Sequence, residues 1–447
     1  MFNMRRKILD NLLIWKNKKN KKPLVLNGAR QTGKTYILKY MGKKYFPEYH
    51  YFNFEKLGKL HYIFDKDLIP SRILGELSLI QERVINKEDL IIFDEIQNCP
   101  NALTSLKYFC EDFLDMNICA AGSLLGIQLS DNSFPVGKVE FLHLYPLSFE
   151  EYLWALNTPL LENAFYSAIK SKEISLTAHS KLLEKLYDYF VTGGMPEVIA
   201  EFLSLNQIMD QPAFVRIRKI QTDLITMYES DFAKHSGNNN SMHIVSVFEN
   251  IPLQLSKTKD LSTSRYRFTD VIPGKKGYTP LQGPIHWLSR ASLIHKTGIA
   301  SRSEIPLKSF TSDNIFKCFL FDIGILGAML QLPPSELILQ NYGITKGYFA
   351  ENYVIQELTA SNLSVVSWKE RNSEIEFLKQ SSDGKIVPIE VKAGNRTQAK
   401  SLSQYILKYN PDTAVIASAK LLKIEPEKTI QNIPLYLIGK IDEILDT

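Results

Sequence analysis

A glycine-rich loop lies between an apolar run and a helix-compatible run near the start of the sequence. The apolar run is "LVLN", and the loop after it, "GARQTGKT", fits GxxxxGK[ST] at every fixed position. Glycines let backbone N–H groups curl around a phosphate, and the N-terminus of the following helix adds a positive dipole end. We therefore expect the loop to bind the phosphates of ATP, with the Lys34 ammonium at the β- and γ-phosphates and the Thr35 hydroxyl on Mg²⁺. The loop residues are Gly28, Ala29, Arg30, Gln31, Thr32, Gly33, Lys34 and Thr35.

Two acids follow a second apolar run, in "DLIIFDEIQNCP". A short continuous apolar run, here Leu90 to Phe93, predicts a parallel strand that is buried on both faces. The carboxyl ends of such strands are where α/β sheets bind their ligands. We expect Asp94 to hold Mg²⁺, directly or through water, and Glu95 to polarise the attacking water. An acidic cap on a buried strand is the structural alternative.

A third apolar run, "NICAAGSLL" (Asn117–Leu125), ends in the pair Gly122-Ser123. The Ser123 hydroxyl could donate a hydrogen bond to the γ-phosphate or to its water, and a plain strand-to-turn serine is the alternative. With this residue, the candidate catalytic residues are Lys34, Glu95 and Ser123. Downstream, "VEFLHLYPLSFEEYL" (Val139–Leu153) predicts a further strand and then a helix that begins at Ser148 with a capping box.

Charged residues also interrupt two apolar runs near the other end of the sequence, "EIEFLKQ" and "IVPIEVK". Because side chains alternate along a strand, Glu390 and Lys392 should lie on one face. Glu376 on the adjacent strand could then converge with Glu390 on one Mg²⁺, which leaves Lys392 to orient a water. The alternative is that the charges are a structural remnant of an ancestral nuclease site.

The elements that position these residues fall into an α/β pattern. A helical region, Leu156–Ser256, follows the first set of strands, and it is interrupted at Gly193–Pro196. "LQGPIHWLSRASLIHKTGIA" and "FKCFLFDIGILGAML" then predict helix, strand, loop and strand, the skeleton of a winged helix. Such a module contacts either DNA or other protein surfaces. The tail reads helix, three strands, helix, strand.

The chain is long enough for about three domains, since it has 447 residues. Its apolar fraction of 45% is ample for packed cores. We expect a parallel P-loop sheet, a helical and winged-helix-like middle, and a C-terminal α/β domain whose element order resembles that of restriction endonucleases. The predicted segments are a basic leader (1–22), a P-loop ATPase core (23–155), a helical lid region (156–256), a winged-helix-like segment (257–335) and a nuclease-like domain (336–447).

The charge and the cysteine content indicate which partners and which cellular compartment suit the protein. The net charge of +5 permits nucleic acid as a partner without requiring it. Eight basic residues against Asp10 make the leader either a solvated charged helix or an arm that contacts phosphate or a partner. The four cysteines have no CxxC pair, and no apolar run approaches about 18 residues. We therefore expect a cytoplasmic protein without a membrane span.

The motifs of the first 155 residues, in their order along the chain, resemble those of a bacterial group of AAA-type P-loop ATPases. That group has a "GARQxGKT" loop, a "DEIQ" acid pair, a "GS" third strand and "PLSFxEYL", and this chain has each of them. "GGMPE" in the helical region is a further shared signature. The resemblance covers nearly the whole chain and implies ATP and Mg²⁺ as cofactors, with the helical region as a lid.

The chain departs from this group at Gly137-Lys138, where relatives often have Gly-Arg. Lysine gives a point charge without the bidentate fork of arginine. An arginine finger therefore stays unassigned, with Arg216 and Arg218 as weak candidates.

The tail resembles PD-(D/E)xK nucleases. Glu390-Val391-Lys392 matches the E-x-K element, and Glu351 matches an extra acid on the first helix. Glu376 stands where that family normally has aspartate. The longer side chain moves a metal-binding oxygen by one methylene, which puts active cleavage in doubt because Mg²⁺ requires near-ideal geometry.

The sequence thus predicts a slow ATPase whose nucleotide state switches its C-terminal parts. The alternatives are an ATP-gated nuclease that processes DNA and a non-catalytic signalling scaffold locked by nucleotide. DNA, a protein partner and a second copy of the chain are the candidate macromolecular partners.

Overall fold

The structure is a computed structural model that describes residues 4–122, 137–236, 238–256, 265–343, 345–371, 373–394 and 399–446. The chain divides into two compact units. We call Met4–Tyr145 with Arg290–Ser292 the N-terminal unit, and Pro146–Ser289 with Leu293–Thr447 the C-terminal unit. The predicted ATP-binding motifs lie in the first unit, and the predicted nuclease-like residues lie in the second.

The N-terminal unit contains a five-stranded parallel sheet in the order β2-β3-β4-β1-β5. Each residue of β3 is buried, as its continuous apolar run predicts for a parallel strand covered on both faces. One strand, β4, separates the loop-bearing strand β1 from the acid-bearing strand β3. The strands are β1 (Leu24–Asn27), β2 (Tyr49–Asn53), β3 (Leu90–Asp94), β4 (Asn117–Ala121) and β5 (Glu140–His143).

Helices cover both faces of this sheet. Leu24 and Ile92 face a core shared with α1 and α2, whereas Val25 and Phe93 face a core shared with α3, α4 and α5. This alternation follows from the period of two along each strand. The helices are α1 (Ile8–Asn17), α2 (Lys34–Tyr45), α3 (His61–Lys66), α4 (Pro70–Gln81) and α5 (Pro100–Asp112), with short 3₁₀ turns at Gly58–Leu60 and Ile96–Asn98.

The basic leader folds as helix α1. Its apolar residues Ile8, Leu12 and Trp15 recur at helical spacing and are buried in the core beside α2. The Trp15 indole N–H donates to the Lys22 carbonyl at 2.8 Å, which ties the end of the leader back to the helix. The leader is therefore a packed part of the N-terminal unit.

The C-terminal unit contains a seven-stranded mixed sheet in the order β12-β11-β10-β9-β8-β6-β7. Strand β9 pairs antiparallel with β8 and β10, and β10, β11 and β12 run parallel. The strands are β6 (Ile294–Ala300), β7 (Phe316–Leu320), β8 (Val365–Glu370), β9 (Ser373–Gln380), β10 (Ile386–Val391), β11 (Ala414–Ser418) and β12 (Ile430–Pro434).

The first helix of this unit begins as predicted. The Ser148 hydroxyl accepts from the Glu151 N–H at 3.4 Å, and the Glu151 carboxylate accepts from the Ser148 N–H at 3.0 Å, which forms a capping box. The helices are α6 (Phe149–Leu156), α7 (Pro159–Ser171), α8 (Leu176–Thr192), α9 (Pro196–Ser204), α10 (Gln211–Ser236), α11 (Asn238–Ser256), α12 (Thr279–Arg290), α13 (Ile323–Met329), α14 (Pro334–Ile338), α15 (Thr345–Ala360), α16 (Lys400–Tyr409) and α17 (Ile441–Leu445), with 3₁₀ turns at Leu307–Phe310 and Leu435–Lys440.

The strand pair predicted for a winged helix belongs to this larger sheet. Strands β6 and β7 pair antiparallel, as a wing would, but β6 also pairs in parallel with β8 through Ile299 and Ser367. The hairpin is therefore continuous with the strands that carry the nuclease-like residues, and the winged-helix interpretation is not confirmed. Among the helices that the structure describes, none is both long and apolar enough to cross a bilayer.

Candidate functional site

The carboxyl ends of the parallel strands lie side by side in the N-terminal unit. Asp94 on β3 is in register with Ala121 on β4, and Ala121 is in register with Leu26 on β1. Asn27, the last residue of β1, is in register with His143 at the end of β5. The loop after β1 and the acids after β3 therefore open at one edge of the sheet, where α/β sheets bind ligands.

The glycine-rich loop has the backbone shape that its sequence predicts. Gly28 has φ +145°, and a side chain there would collide with the Leu144 carbonyl oxygen. Gly33 has φ +94° and directly precedes α2, so the N-terminus of that helix faces the loop. The Thr32 hydroxyl donates to the Ala29 carbonyl at 2.9 Å and closes the loop. The loop is thus preformed around the helix N-terminus.

Lys34 is 7% exposed, and its ammonium lies inside this loop. Its Nζ donates to the carbonyls of Gly28 at 2.9 Å and Ala29 at 2.7 Å. Burial lowers the pKa of Lys34 to about 8, against the opposing effect of Glu95 and Asp94. A phosphate in the loop would supply the counter-charge that favours the ammonium form.

Asp94 and Thr35, the two predicted ligands of one Mg²⁺, contact each other. Thr35 Oγ1 donates to Asp94 Oδ2 at 2.8 Å. The Tyr51 hydroxyl on β2 also donates to Asp94 Oδ2, at 2.6 Å, and the Asn53 amide donates to Tyr51 at 3.1 Å. Burial is the main cause that raises the pKa of Tyr51, and the hydrogen bond to Asp94 raises it further, so this hydroxyl keeps its proton. A carboxylate and a hydroxyl fit the all-oxygen shell of Mg²⁺.

Glu95 extends the site beyond the end of β3. Its backbone is left-handed, with φ 52°, a conformation that favours glycine and marks local strain. Gln97 Nε2 donates to its carboxylate. Burial is the main cause that raises the pKa of Glu95, with Asp94 adding to it. A carboxylate with a raised pKa in this place is suited to accept a proton from water.

The other residues predicted for the nucleotide site are not seen at it. Ser123 lies outside the described residues. Arg216 pairs with Glu201 at 3.1 Å, and Arg218 donates to the Leu332 carbonyl at 2.9 Å, so both guanidinium groups have partners in the C-terminal unit. An arginine finger stays unassigned.

Two residues near the loop were missed by sequence reasoning. Arg6 in the leader is buried, and it donates to the Thr32 carbonyl at 2.9 Å and to the Tyr145 carbonyl at 2.6 Å. Burial, and then the charge of Lys34, lower the pKa of His143 to about 4, so this imidazole is neutral beside the loop. Neither residue stands in a pattern that marks it out, because one is an arginine in a basic run and the other a lone histidine on a strand.

In the C-terminal unit, the structure brings the predicted nuclease-like residues together. Phe377 pairs with Ile389 across the antiparallel strands, so the next residues, Glu376 and Glu390, lie opposite each other on one face. Glu376 Oε2 accepts from the Val391 N–H at 3.1 Å, and Lys392 Nζ lies 2.6 Å from Glu390 Oε1. Burial, and then the charges of Glu390 and Glu351, raise the pKa of Glu376 well above its usual range.

Two further charged residues share this region and were not predicted. Lys317 Nζ on β7 lies 3.4 Å from Glu351 Oε2 and 2.7 Å from Glu374 Oε1, and its side chain is 0% exposed. Glu374 also meets Lys369 at 2.8 Å. In the part of the chain that the structure describes, no three histidine, cysteine, aspartate or glutamate side chains are grouped to hold a metal ion. A metal ion at Glu376 and Glu390 therefore stays a prediction.

Comparisons with known proteins agree with the geometry of the N-terminal unit. Residues 20–153 match the AAA domain family (AAA_14). Residues 183–336 and 346–438 match two domains of unknown function, DUF8612 and DUF4143. No curated protein matches the chain. The AAA match spans the loop, Asp94 and Glu95, so residues 20–153 form an AAA-type P-loop domain with a nucleotide-binding, ATPase-type function.

Two solved structures show low similarity to the chain. One is Drosophila ORC bound to DNA, 14% identical over 72% of this chain and 94% of that chain, with a TM-score of 0.28. The other is AMPPCP-bound DnaA from Aquifex aeolicus, 14% identical over 63% of this chain and 85% of that chain, with a TM-score of 0.26. Both TM-scores lie below the level at which a shared overall fold is inferred.

Proposed function

We propose that the N-terminal unit binds ATP with Mg²⁺ and hydrolyses it slowly, and that the bound nucleotide switches the arrangement of the C-terminal unit. The observation that carries this proposal is the 2.8 Å hydrogen bond between Thr35 Oγ1 and Asp94 Oδ2. It brings the two predicted oxygen ligands of Mg²⁺ to one point beside the N-terminus of α2. The loop, the helix terminus and the two predicted metal ligands then lie at the same edge of the sheet.

Binding would depend on the loop and on Lys34. The backbone N–H groups of the loop and of the first turn of α2 would donate to phosphate oxygens, and these hydrogen bonds need no side chain. Lys34 would exchange its two loop carbonyls for the β- and γ-phosphates. Because Lys34 is 7% exposed, its charge acts in a medium of low dielectric constant, where a charge-assisted hydrogen bond is strong.

Hydrolysis would depend on Glu95. Its carboxylate would accept the proton of the attacking water, and Gln97 would hold it in position. Tyr51 would orient Asp94, since its hydroxyl donates to the same oxygen as Thr35. We expect slow turnover because an arginine finger contributes about 10³–10⁵ in rate, and none is assigned among the residues that the structure describes.

The link to the C-terminal unit would run through Arg6. One guanidinium nitrogen donates to the loop carbonyl of Thr32, and the other donates to the carbonyl of Tyr145. Tyr145 is the residue at which the chain leaves the N-terminal unit. A shift of the loop on phosphate binding would therefore be passed to the point where the C-terminal unit begins.

Titration with a fluorescent ATP analogue tests the binding step. Lys34→Ala should lose binding, whereas Glu95→Gln should keep it. Lys43→Ala is the matched control, because Lys43 is an exposed lysine on the same helix. Full affinity in Lys34→Ala would refute the assignment of the loop.

Hydrogen exchange tests the switch. Glu95→Gln should hold ATP without turnover, so exchange of peptides from residues 146–256 and 293–446 can be compared with and without ATP. We expect protection to change in these peptides and to stay unchanged when ATP is added to Lys34→Ala. Changes confined to residues 4–145 would reduce the proposal to an ATPase without a switch.

A metal-dependent nuclease is the second candidate function, because Glu376, Glu390 and Lys392 lie on one side of the C-terminal sheet. It predicts nicking of DNA that requires Mg²⁺ or Mn²⁺ and is lost in Lys392→Ala. Cleavage gained by Glu376→Asp in an inactive chain would instead mark a lapsed nuclease. The non-catalytic scaffold predicts ATP binding without turnover.

A further inference from the structure

The charged cluster of the C-terminal unit contains a lysine that its nuclease-like pattern does not include. We define this cluster as Glu351, Glu374, Glu376, Glu390, Lys317 and Lys392. Lys317 lies in the middle of β7, the strand at one edge of the seven-stranded sheet. Its side chain is 0% exposed, although the strand is only five residues long.

Burial of an ammonium group is costly unless carboxylates surround it. The desolvation penalty stays large after the structure relaxes, and it is offset only by good pairing. Lys317 has this pairing, because its Nζ is 2.7 Å from Glu374 Oε1 on β9 and 3.4 Å from Glu351 Oε2 on α15. The lysine therefore joins the edge strand, an inner strand and a helix at one point.

Glu376 and Glu390 each already have one donor. Lys392 Nζ is 2.6 Å from Glu390 Oε1, and the Val391 N–H donates to Glu376 Oε2 at 3.1 Å. Glu390 Oε2 is the one carboxylate oxygen of Glu376 and Glu390 that is buried without a hydrogen-bond partner among the described residues. A divalent cation placed here would approach two ammonium groups in a medium of low dielectric constant, where like charges repel strongly.

We infer that Lys317 is the resident cation of this cluster, and that its ammonium provides the positive charge that a divalent metal ion would otherwise bring to these carboxylates. The C-terminal unit would thus keep a nuclease-like framework without binding Mg²⁺ at Glu376 and Glu390. In this arrangement the cluster stabilises the packing of β7, β9 and α15. The cleavage chemistry that needs a metal-bound water would be absent.

Mn²⁺ binding to the full-length chain without nucleotide tests this inference. Electron paramagnetic resonance reports free Mn²⁺, and Asp94→Asn in every protein removes the metal ligand of the N-terminal unit. The parent, which carries Asp94→Asn alone, should bind no Mn²⁺ at the C-terminal cluster. Lys317→Met should gain one Mn²⁺ per chain, and adding Glu390→Gln should remove it again. Mn²⁺ should also raise the thermal midpoint of Lys317→Met but not that of the parent.

Two results would overturn the inference. One is Mn²⁺ binding by the parent that disappears in Glu390→Gln, because the cluster would then hold a metal with Lys317 in place. The other is a folded Lys317→Met chain that binds no Mn²⁺. If Lys317→Met does not fold without metal, the chain is refolded in the presence of Mn²⁺. Recovery of the folded chain supports the inference, and failure to fold contradicts it. Either result leaves the proposed ATPase untouched, since the two sites share no residue.

Discussion

The affinity of the N-terminal unit for ATP should fall steeply in mildly alkaline solution, because Lys34 must be charged to meet the phosphates. In the nucleotide-free chain, burial lowers the pKa of Lys34 to about 8. Above that pH, binding must first return a proton to the lysine, which costs about 1.4 kcal/mol per pH unit. The dissociation constant should therefore be about 30-fold higher at pH of about 9.5 than at pH of about 7.

Fluorescence titration of an ATP analogue across this range is the assay. His143 and Tyr51 keep one form throughout, since burial lowers the pKa of His143 to about 4 and raises that of Tyr51. Lys34→Arg is the control, because arginine stays charged and should give a flat profile even if it binds more weakly. Equal affinity of the unmodified chain at both ends of the range would refute the assignment of Lys34.

The same shift acts on stability with the opposite sign. Folding lowers the pKa of Lys34 from 10.5 to about 8, so between these values the unfolded chain binds more protons than the folded chain. The contribution of Lys34 to the free energy of unfolding should therefore rise with pH through this window when ATP is absent. Lys34→Met should remove that rise, as measured by urea unfolding.

Substitutions at two neighbours of the loop and in the basic leader test the roles of these residues. Arg6→Ala should lower the free energy of unfolding by about 2–4 kcal/mol in urea titrations, because two charged hydrogen bonds to carbonyls are lost. Lys19 is exposed, so Lys19→Ala should change the free energy of unfolding by no more than about 0.5 kcal/mol. Tyr51→Phe should raise the Mg²⁺ concentration for half-maximal hydrolysis about tenfold, because Asp94 loses a positioning donor, and an unchanged requirement would contradict that role. If the leader contacts nucleic-acid phosphates, Lys18→Glu with Lys19→Glu should flatten the salt dependence of binding, and an unchanged slope would leave these lysines as a solvated face.

The local motifs of the N-terminal unit could be predicted because they encode their own geometry. Gly28 and Gly33 stand where the backbone requires positive φ, and the run before Asp94 is apolar because β3 is covered on both faces. The capping box at Ser148 was read in the same way. In each case a few adjacent residues specify both the element and its boundary.

Partners from distant parts of the chain could not be predicted. Arg6 reaches Tyr145 across 139 positions, and Tyr51 reaches Asp94 across 43, so no spacing rule connects them. Lys317 was missed because a lysine between apolar residues on a strand suggests a solvent-facing position, whereas Glu351 and Glu374 pair with it inside the unit. Likewise, a local pattern showed the hairpin of β6 and β7 but not its pairing with β8.

Phosphate release under multiple turnover, with Glu95→Gln beside the unmodified chain, tests the central claim most directly. Glutamine has nearly the same shape as glutamate, but its amide cannot accept the proton of the attacking water. We predict slow, Mg²⁺-dependent release by the unmodified chain and a loss of about 10²-fold or more in Glu95→Gln, with ATP binding retained. Equal turnover in the two proteins would contradict the assignment of Glu95, and no turnover in either would leave a nucleotide-binding scaffold.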